Sequence, residues 1–319
     1  DTPARVEVTR LTVPQYRNSV ADLVLGFRGE IGIGTERGLK ARYFGSYKFG
    51  ERDEFRKQKK KDHFDTRDAQ VRFNFNTGVP AHDEAKDFGT DQFSIRWEGS
   101  LLPEETGVYQ FVVRTRNGVS LWVNRHHKDY DSWNGTKTID GWVAPTNELR
   151  DVEGSVYLIG GRPYPIRMEF FTYKEKLAQV ELMWKPPHGS LQAIPGRNLT
   201  PDTIADSLTI STRFPADDRS VGYERGTSVS EAWFEAVTDG ATAAADYVVT
   251  HVNELARTKS DQPDRAERIG EFGAKFVERA FRRPLSDDER MRFVDHHFDH
   301  AQSLEQAVKR LVLFTLTSP

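Results

Sequence analysis

Phe93-Ser94-Ile95-Arg96-Trp97-Glu98-Gly99, followed after a short polar turn by Gly107-Val108-Tyr109-Gln110-Phe111-Val112-Val113-Arg114, decides the fold. Phe93, Ile95 and Trp97 alternate with Ser94, Arg96 and Glu98, and Tyr109, Phe111 and Val113 alternate with Gln110, Val112 and Arg114. Successive side chains on a strand point to opposite faces, so this rhythm builds a sheet with one apolar face. It recurs downstream, where Ile166, Met168 and Phe170 alternate with Arg167 and Glu169, and Val180, Leu182 and Trp184 alternate with Glu181 and Met183. Several such strands broken by Gly, Pro and Asn clusters predict an antiparallel β-sandwich or barrel between residues 39 and 200. The alternation predicts half-buried strands, because strands buried on both faces read as continuous apolar runs.

Outward from this region the period changes. Val13, Tyr16, Val20, Leu23, Val24 and Phe27 share one helical face, opened by a capping pair Thr12 and Gln15 with Pro14 in the first turn. The glycines of residues 29–38 have the wrong spacing for a dinucleotide loop and read as a linker. Beyond residue 220 helices return. Ser230 caps one that carries Trp233 to Leu255 apolar positions; Pro263 and Pro284 bracket the next, with Ile269, Phe272, Phe276 and Val277 on one side. Ser286 with Glu289, and Ser303 with Gln306, are further capping pairs. They precede stripes of Met291, Val294, Phe298 and Ala301, and of Ala307, Val308, Leu311, Val312 and Phe314. The expected fold class is therefore α+β, an antiparallel β-sandwich plus an α-helical bundle. The expected domains are residues 1–37 (a helix and linker that pack on the C-terminal helices), 38–202 (the sandwich), 203–229 (a connecting segment) and 230–319 (the helical domain).

The chain has 319 residues, 45 Lys plus Arg, 48 Asp plus Glu and no Cys. That excludes a disulfide scaffold, a thiolate metal site, a Cys nucleophile and covalently attached haem. A net charge of −3 argues against nucleic acid as a partner. No apolar run approaches the ~18 residues of a membrane span. The chain opens on Asp1 with no leader-like segment and stops after Leu316-Thr317-Ser318-Pro319, which reads as a piece of a longer polypeptide.

The sandwich region resembles the protective-antigen β-sandwich family, the PA-14 domain. The resemblance is carried by Gly38-Leu39-Lys40-Ala41-Arg42-Tyr43-Phe44, by the two stretches quoted first (similar to a central hairpin) and by Asn117-Gly118-Val119-Ser120-Leu121-Trp122-Val123-Asn124 (similar to the next hairpin). Asp131-Ser132-Trp133, the late strands at Tyr164 to Phe171 positions and Val180 to Trp184 positions, and Leu199-Thr200-Pro201 complete it. It implies a β-sandwich that often binds carbohydrate on secreted or surface proteins. In adhesin members two adjacent aspartates hold a calcium ion that holds sugar hydroxyls. The positions similar to them here are Arg116 and Asn117, and an Arg there brings positive charge where calcium wants anionic oxygen. No cofactor is expected in this chain, and calcium is disfavoured. Asn117-Gly118 reads as a hairpin turn.

The flanks resemble domains of unknown function in planctomycete-type secreted proteins that often carry a c-type cytochrome domain. Gln15-Tyr16-Arg17-Asn18, Val221-Gly222-Tyr223-Glu224-Arg225-Gly226 and Phe281-Arg282-Arg283-Pro284-Leu285 carry this resemblance.

The expected ligand-binding residues are Arg116, Asn117, Asn124, Tyr130, Asp131, Asn134 and Trp142, where aromatic faces and amide or carboxylate oxygens suit a sugar. Whether Trp122 and Trp142 face ligand or core stays open, and Trp133 is assigned to the core. The expected function is a non-catalytic module that binds carbohydrate or another cell-surface polymer within a larger protein, secreted or periplasmic, whose partners are a glycan or polysaccharide and the remaining domains of the parent chain. The second reading is a scaffold that positions a redox or hydrolytic domain, and the third an enzyme with an unrecognised carboxylate pair. His296, His297 and His300 read as surface histidines rather than a zinc site, His126 and His127 fall on opposite strand faces, and Asp217-Asp218-Arg219 with Glu224-Arg225 reads as an ion-pair network. The charged run at residues 51–61 reads as a solvated loop.

Overall fold

A computed structural model describes residues 10–29, 32–46, 63–75, 82–86, 88, 92–125, 136–144, 146–175, 177–227 and 229–318. The chain divides into two compact units, Gly32–Ser207 and a second made of Asp1–Ile31 with Leu208–Pro319.

The first unit is two antiparallel sheets. One carries, in spatial order, β2 (His63–Asp68), β1 (Leu39–Phe44), β4 (Gln92–Leu101), β9 (Tyr164–Tyr173), β6 (Gly118–Val123) and β7 (Ile139–Gly141), with β12 (Leu199–Thr200) also on β4. The other runs β11 (Gln192–Ala193), β10 (Gln179–Lys185), β5 (Gly107–Thr115) and β8 (Arg150–Leu158), with β3 (Arg72–Asn74) also on β10. The apolar phase of each strand faces the other sheet: Phe93, Ile95 and Trp97, Phe111 and Val113, Met168 and Phe170, and Val180 and Leu182 share one core. Inside it, Asp68 Oδ2 accepts from Tyr43 Oη at 2.8 Å and Trp97 Nε1 at 2.7 Å. Burial raises the Asp68 carboxyl above its ordinary range, against the lowering effect of those two bonds.

Two expectations fail here. β4 lies in the large sheet and β5 in the small one, and β6 is back in the large sheet. Neither junction is a hairpin: each is a crossing between sheets, and the second uses only Arg116 and Asn117. The other expectation is half-burial. It holds for β8, where half-buried and exposed residues alternate through the first seven positions, but every residue of β6 is buried, as are the first seven of β9. The large sheet is thus covered on both faces in its centre although its sequence alternates.

In the second unit, α1 (Val13–Leu25) starts with both halves of the Thr12–Gln15 capping box. It is followed in sequence, after the sandwich, by α2 (Glu231–Thr250), α3 (Val252–Leu255), α4 (Arg265–Phe281), α5 (Asp287–Arg290), a π-helical turn (Met291–Asp295), α6 (His296–Asp299) and α7 (Leu304–Leu316). Tyr16, Val20 and Val24 of α1, with Phe27 just beyond it, share one core with Trp233, Ile269, Phe272, Phe276 and Leu311. Gly240 sits where a Cβ would lie 3.2 Å from Ile210 and 3.4 Å from Tyr16, so its missing side chain lets α2 approach both. The expected stripe holds at Val294, which is buried, and at Phe298, which packs on the core; where the helix widens into a π turn, Phe293 is buried as well and Met291 is 64% exposed. At Ser303 the box is half-formed: Ser303 Oγ accepts from Gln306 N, while the Gln306 amide oxygen takes Gln302 N. Asp217 accepts from Arg10 Nη1 and from Val13 N, both at 2.7 Å, and Asp218 accepts from Arg225 at 2.7 Å. The acidic-basic run therefore ties segments within the helical unit.

Candidate functional site

The residues expected at the site separate along β6. At its start, the two-residue crossing places Asn117 inside the protein, 2% exposed. Asn117 Nδ2 donates to Thr172 Oγ1 and to Leu177 O, and its Oδ1 accepts from Gln179 N. Its carbonyl accepts from Arg150 Nη2 at 3.1 Å, and the same nitrogen donates to Gly141 O at 3.0 Å. Burial holds the Arg150 guanidinium below its ordinary range. Asn117 therefore locks the crossing, with its whole amide engaged internally. Arg116 stands beside it, half-buried, and donates through Nη1 to Asn147 O at 3.0 Å. Neither residue fits a calcium ion: one is a cation, and the other's only side-chain oxygen is taken by a backbone N–H.

At the other end of β6, roughly 20 Å away by strand rise, Asn124 holds a left-handed backbone (φ 54°). Its Nδ2 donates to Ser207 O and its Oδ1 accepts from Ser207 N, both at 2.8 Å. This amide closes a two-bond clasp on the segment that leaves the sandwich. Asn124 and the pair Arg116–Asn117 thus do not form one site.

Trp142 joins the Asn117 end. Gly118 pairs with Phe171 across β6 and β9, and a Cβ on Gly118 would lie 2.0 Å from the Phe171 ring. The ring lies in the space that glycine leaves, and Trp142 packs on it with centroids 4.5 Å apart at 47°. Trp142 is half-buried. Lys137 Nζ stands 5.8 Å from its ring and 3.1 Å from Asp140 Oδ2, while Asp140 Oδ1 accepts from Trp142 N at 3.3 Å. The arrangement is an aromatic face flanked by one ammonium and one carboxylate. Such a set can stack on an apolar ring face and hydrogen-bond its hydroxyls. Trp122, by contrast, is 3% exposed, with Arg167 and Lys137 each 5.9 Å from its ring. Tyr130, Asp131, Asn134, Trp133, His126, His127 and the run 51–61 lie outside the described residues.

Sequence reasoning missed one cluster. On the outer face of the large sheet, Arg96 and Arg167 both donate to Glu169 Oε1, Arg96 Nε at 3.0 Å and Arg167 Nη2 at 2.6 Å. All three are buried, with Arg167 also 3.5 Å from Glu98. The register puts Arg96 opposite Glu169 and Glu98 opposite Arg167. That charge complementarity across β4 and β9 was a usable signal, since opposite charges facing each other stabilise a strand pair.

The family model for the PA14 domain matches residues 36–196. Among curated proteins the chain is similar to the anti-sigma-I factor RsgI3 of Acetivibrio thermocellus, 27% identical over 168 residues, which are 53% of this chain and 22% of that protein. The solved anti-sigma factor domain-containing protein of Clostridium clariflavum is 21% identical with a TM-score of 0.41, covering 60% of each chain. The A domain of Epithelial Adhesin 6 from Candida glabrata, solved with Galβ1-3GlcNAc, is 14% identical with a TM-score of 0.40, covering 58% of this chain and 96% of that one. The chain spans about a fifth of the length of its curated relative.

Proposed function

Because the chain belongs to the PA14 domain family, we propose that its sandwich is a carbohydrate-binding module of a larger protein and that glycan docks at the Trp142 end. The observation that supports this reading is the half-buried Trp142 ring seated on Phe171, beside Lys137 and Asp140. Partly open aromatic faces with polar groups at the rim suit a sugar, whose ring is apolar on one face and rich in hydroxyls at its edge. Recognition here does not use calcium, since Arg116 and Asn117 offer it no ligand set. Tyr130, Asp131 and Asn134, which precede Trp142 in the sequence, are proposed to take part. The module works outside the cell or in the periplasm; no helix among the described residues is long and apolar enough to cross a membrane.

The test is an array of soluble plant, algal and microbial polysaccharides, followed by calorimetry on any positive. Binding in the millimolar-to-micromolar range is expected. Trp142→Ala weakens it by roughly tenfold or more, about 1.4 kcal/mol, and a chelator leaves it unchanged. No binding across the array, or an unaffected Trp142→Ala variant, overturns the reading.

A second reading has its own observation. The helical unit exposes Val221, Tyr223, Val229, Phe234 and Met291 at 50–68%, which suits contact with another domain. On that reading the chain positions a regulatory, redox or hydrolytic domain of its parent polypeptide, in line with the resemblance of its flanks to cytochrome-bearing proteins.

A further inference from the structure

The helical unit holds a cavity of about 400 Å³ between α6 and α7, outside the residues matched by the PA14 family. His296, His297 and His300 line one side; Arg310, Leu313 and Phe314 line the other. None of the lining residues is acidic. Three histidines suggest a metal at first sight, but among the described residues no group of three or more His, Cys, Asp or Glu is arranged to hold one. His300 Nδ1 lies 3.0 Å from His296 O, an atom that only accepts, so Nδ1 carries the hydrogen and Nε2 is the ring nitrogen left for a ligand.

The same groups suit an anion. Arg310 Nη1 donates to His300 O at 3.1 Å, and no carboxylate pairs with Arg310 among the described residues. The His296 and His300 rings are 4.5 Å apart, and those of His296 and His297 are 5.9 Å apart. His297 lies edge-on to Phe314 at 5.5 Å, and its Nε2 is buried with no hydrogen-bond partner. A π-helical turn, Met291–Asp295, runs directly into the helical turn that carries the three histidines. Turns of this kind recur at functional sites.

We propose that this cavity is an oxyanion-binding site that takes a carboxylate or a phosphate group, with Arg310 and the three imidazoles as donors and the Leu313–Phe314 wall against the body of the ligand. Protonated imidazoles and a guanidinium give charge-assisted hydrogen bonds to oxyanions. The free site resists that protonation. Burial is the largest cause holding His297 below the usual histidine range, and the charges of His296 and Arg310 add to it. The groups around His297 are Arg292, Asp295, His296, Asp299 and His300 from its own helical stretch and Arg310 from α7. Asp295 lies 3.8 Å from Arg290, and neither Asp295 nor Asp299 lines the cavity. A bound anion reverses this balance, so binding takes up protons and strengthens as pH falls through the histidine range.

The experiment is a titration of the full chain with inorganic phosphate and, separately, with acetate and benzoate, followed by the NMR signals of the histidine rings. A saturable shift confined to His296, His297 and His300 is expected. Affinity should be higher at about pH 6 than at about pH 8, by roughly tenfold per pH unit for each proton taken up. Arg310→Gln and the exposed-position variant His296→Gln should each weaken binding about tenfold, with thermal unfolding of both variants checked alongside. Tighter phosphate assigns a phosphoryl ligand; tighter benzoate assigns a carboxylate with an apolar body. Shifts that stay linear with concentration, affinity that ignores pH, or a folded Arg310→Gln variant that binds like the parent overturns the proposal.

Discussion

The two sheets of the sandwich carry the same kind of sequence and live in different surroundings. On the small sheet the outer face is open at Arg114 and Asp151, which pair across β5 and β8 through two hydrogen bonds of 2.8 and 2.9 Å, with side chains 38% and 37% exposed. On the large sheet the corresponding face is covered, and Arg96 and Glu169 pair across β4 and β9 at 9% and 10% exposure. Both pairs are an Arg and an acid opposite each other in antiparallel register. What differs is water. An exposed pair is screened and contributes little, whereas a buried group that loses its partner keeps a charge in a medium that solvates it poorly.

That contrast can be broken most directly by deleting each acid. Glu169→Ala removes the acceptor shared by two buried guanidinium groups and is expected to cost about 3–5 kcal/mol in urea unfolding. Asp151→Ala is expected to cost no more than about 1 kcal/mol. Equal losses would mean that the two faces are alike in solution.

Asp68 sharpens the same point from within the core. Asp68→Ala removes the acceptor shared by Tyr43 and Trp97 and should cost about 2–4 kcal/mol. Asp68→Asn keeps a carbonyl oxygen for both donors and sheds a buried charge, so its effect should stay within about 1 kcal/mol of the parent. If the amide variant is as damaged as the alanine, the charge itself stabilises the core.

The smallest expected effect is in titration. By carboxyl NMR, Asp68 should titrate above 3.8, raised mainly by burial, and Asp151 below 3.8, lowered mainly by its bonds to Arg114. The signs oppose. The raised Asp68 contributes stability that is fully present below its unfolded value and is lost as pH rises through its folded value. The lowered Asp151 contributes stability present above its unfolded value and lost as pH falls through its folded value. A common midpoint for the two would remove the distinction between their surroundings.

These contrasts mark where the sequence stops being readable. The inward phase of β4, β5, β9 and β10 was legible because a buried apolar residue and its polar neighbour alternate at Phe93 to Trp97 positions and, apart from Met183, at Val180 to Trp184 positions. The outer cover was not, because Ser94, Arg96 and Ser120 look the same in sequence whether water or protein lies above them. The chain's path was illegible for a similar reason: Asn117-Gly118 is a favoured hairpin pair, and nothing local distinguishes a turn within a sheet from a step between sheets. At the proposed glycan site Trp142 was legible as an aromatic among polar residues, but Asn117 and Asn124 share that signature while their amides grip backbone. In the helical unit the N-caps were readable, and the π turn, which depends on packing at Phe293 and Val294, was not.

The first helix shares one hydrophobic interior with helices made after the sandwich, and Arg10 and Asp217, which tie that unit together, stand 207 positions apart in the chain. On a ribosome that adds about 5–20 residues per second, α1 therefore waits on the order of ten to forty seconds for its partners to be made. Its greasy stripe of Tyr16, Val20, Val24 and Phe27 spends that interval without a native place to bury, while the sandwich can already close. Nascent-chain holding factors should accordingly engage this short amphipathic segment first and release it last.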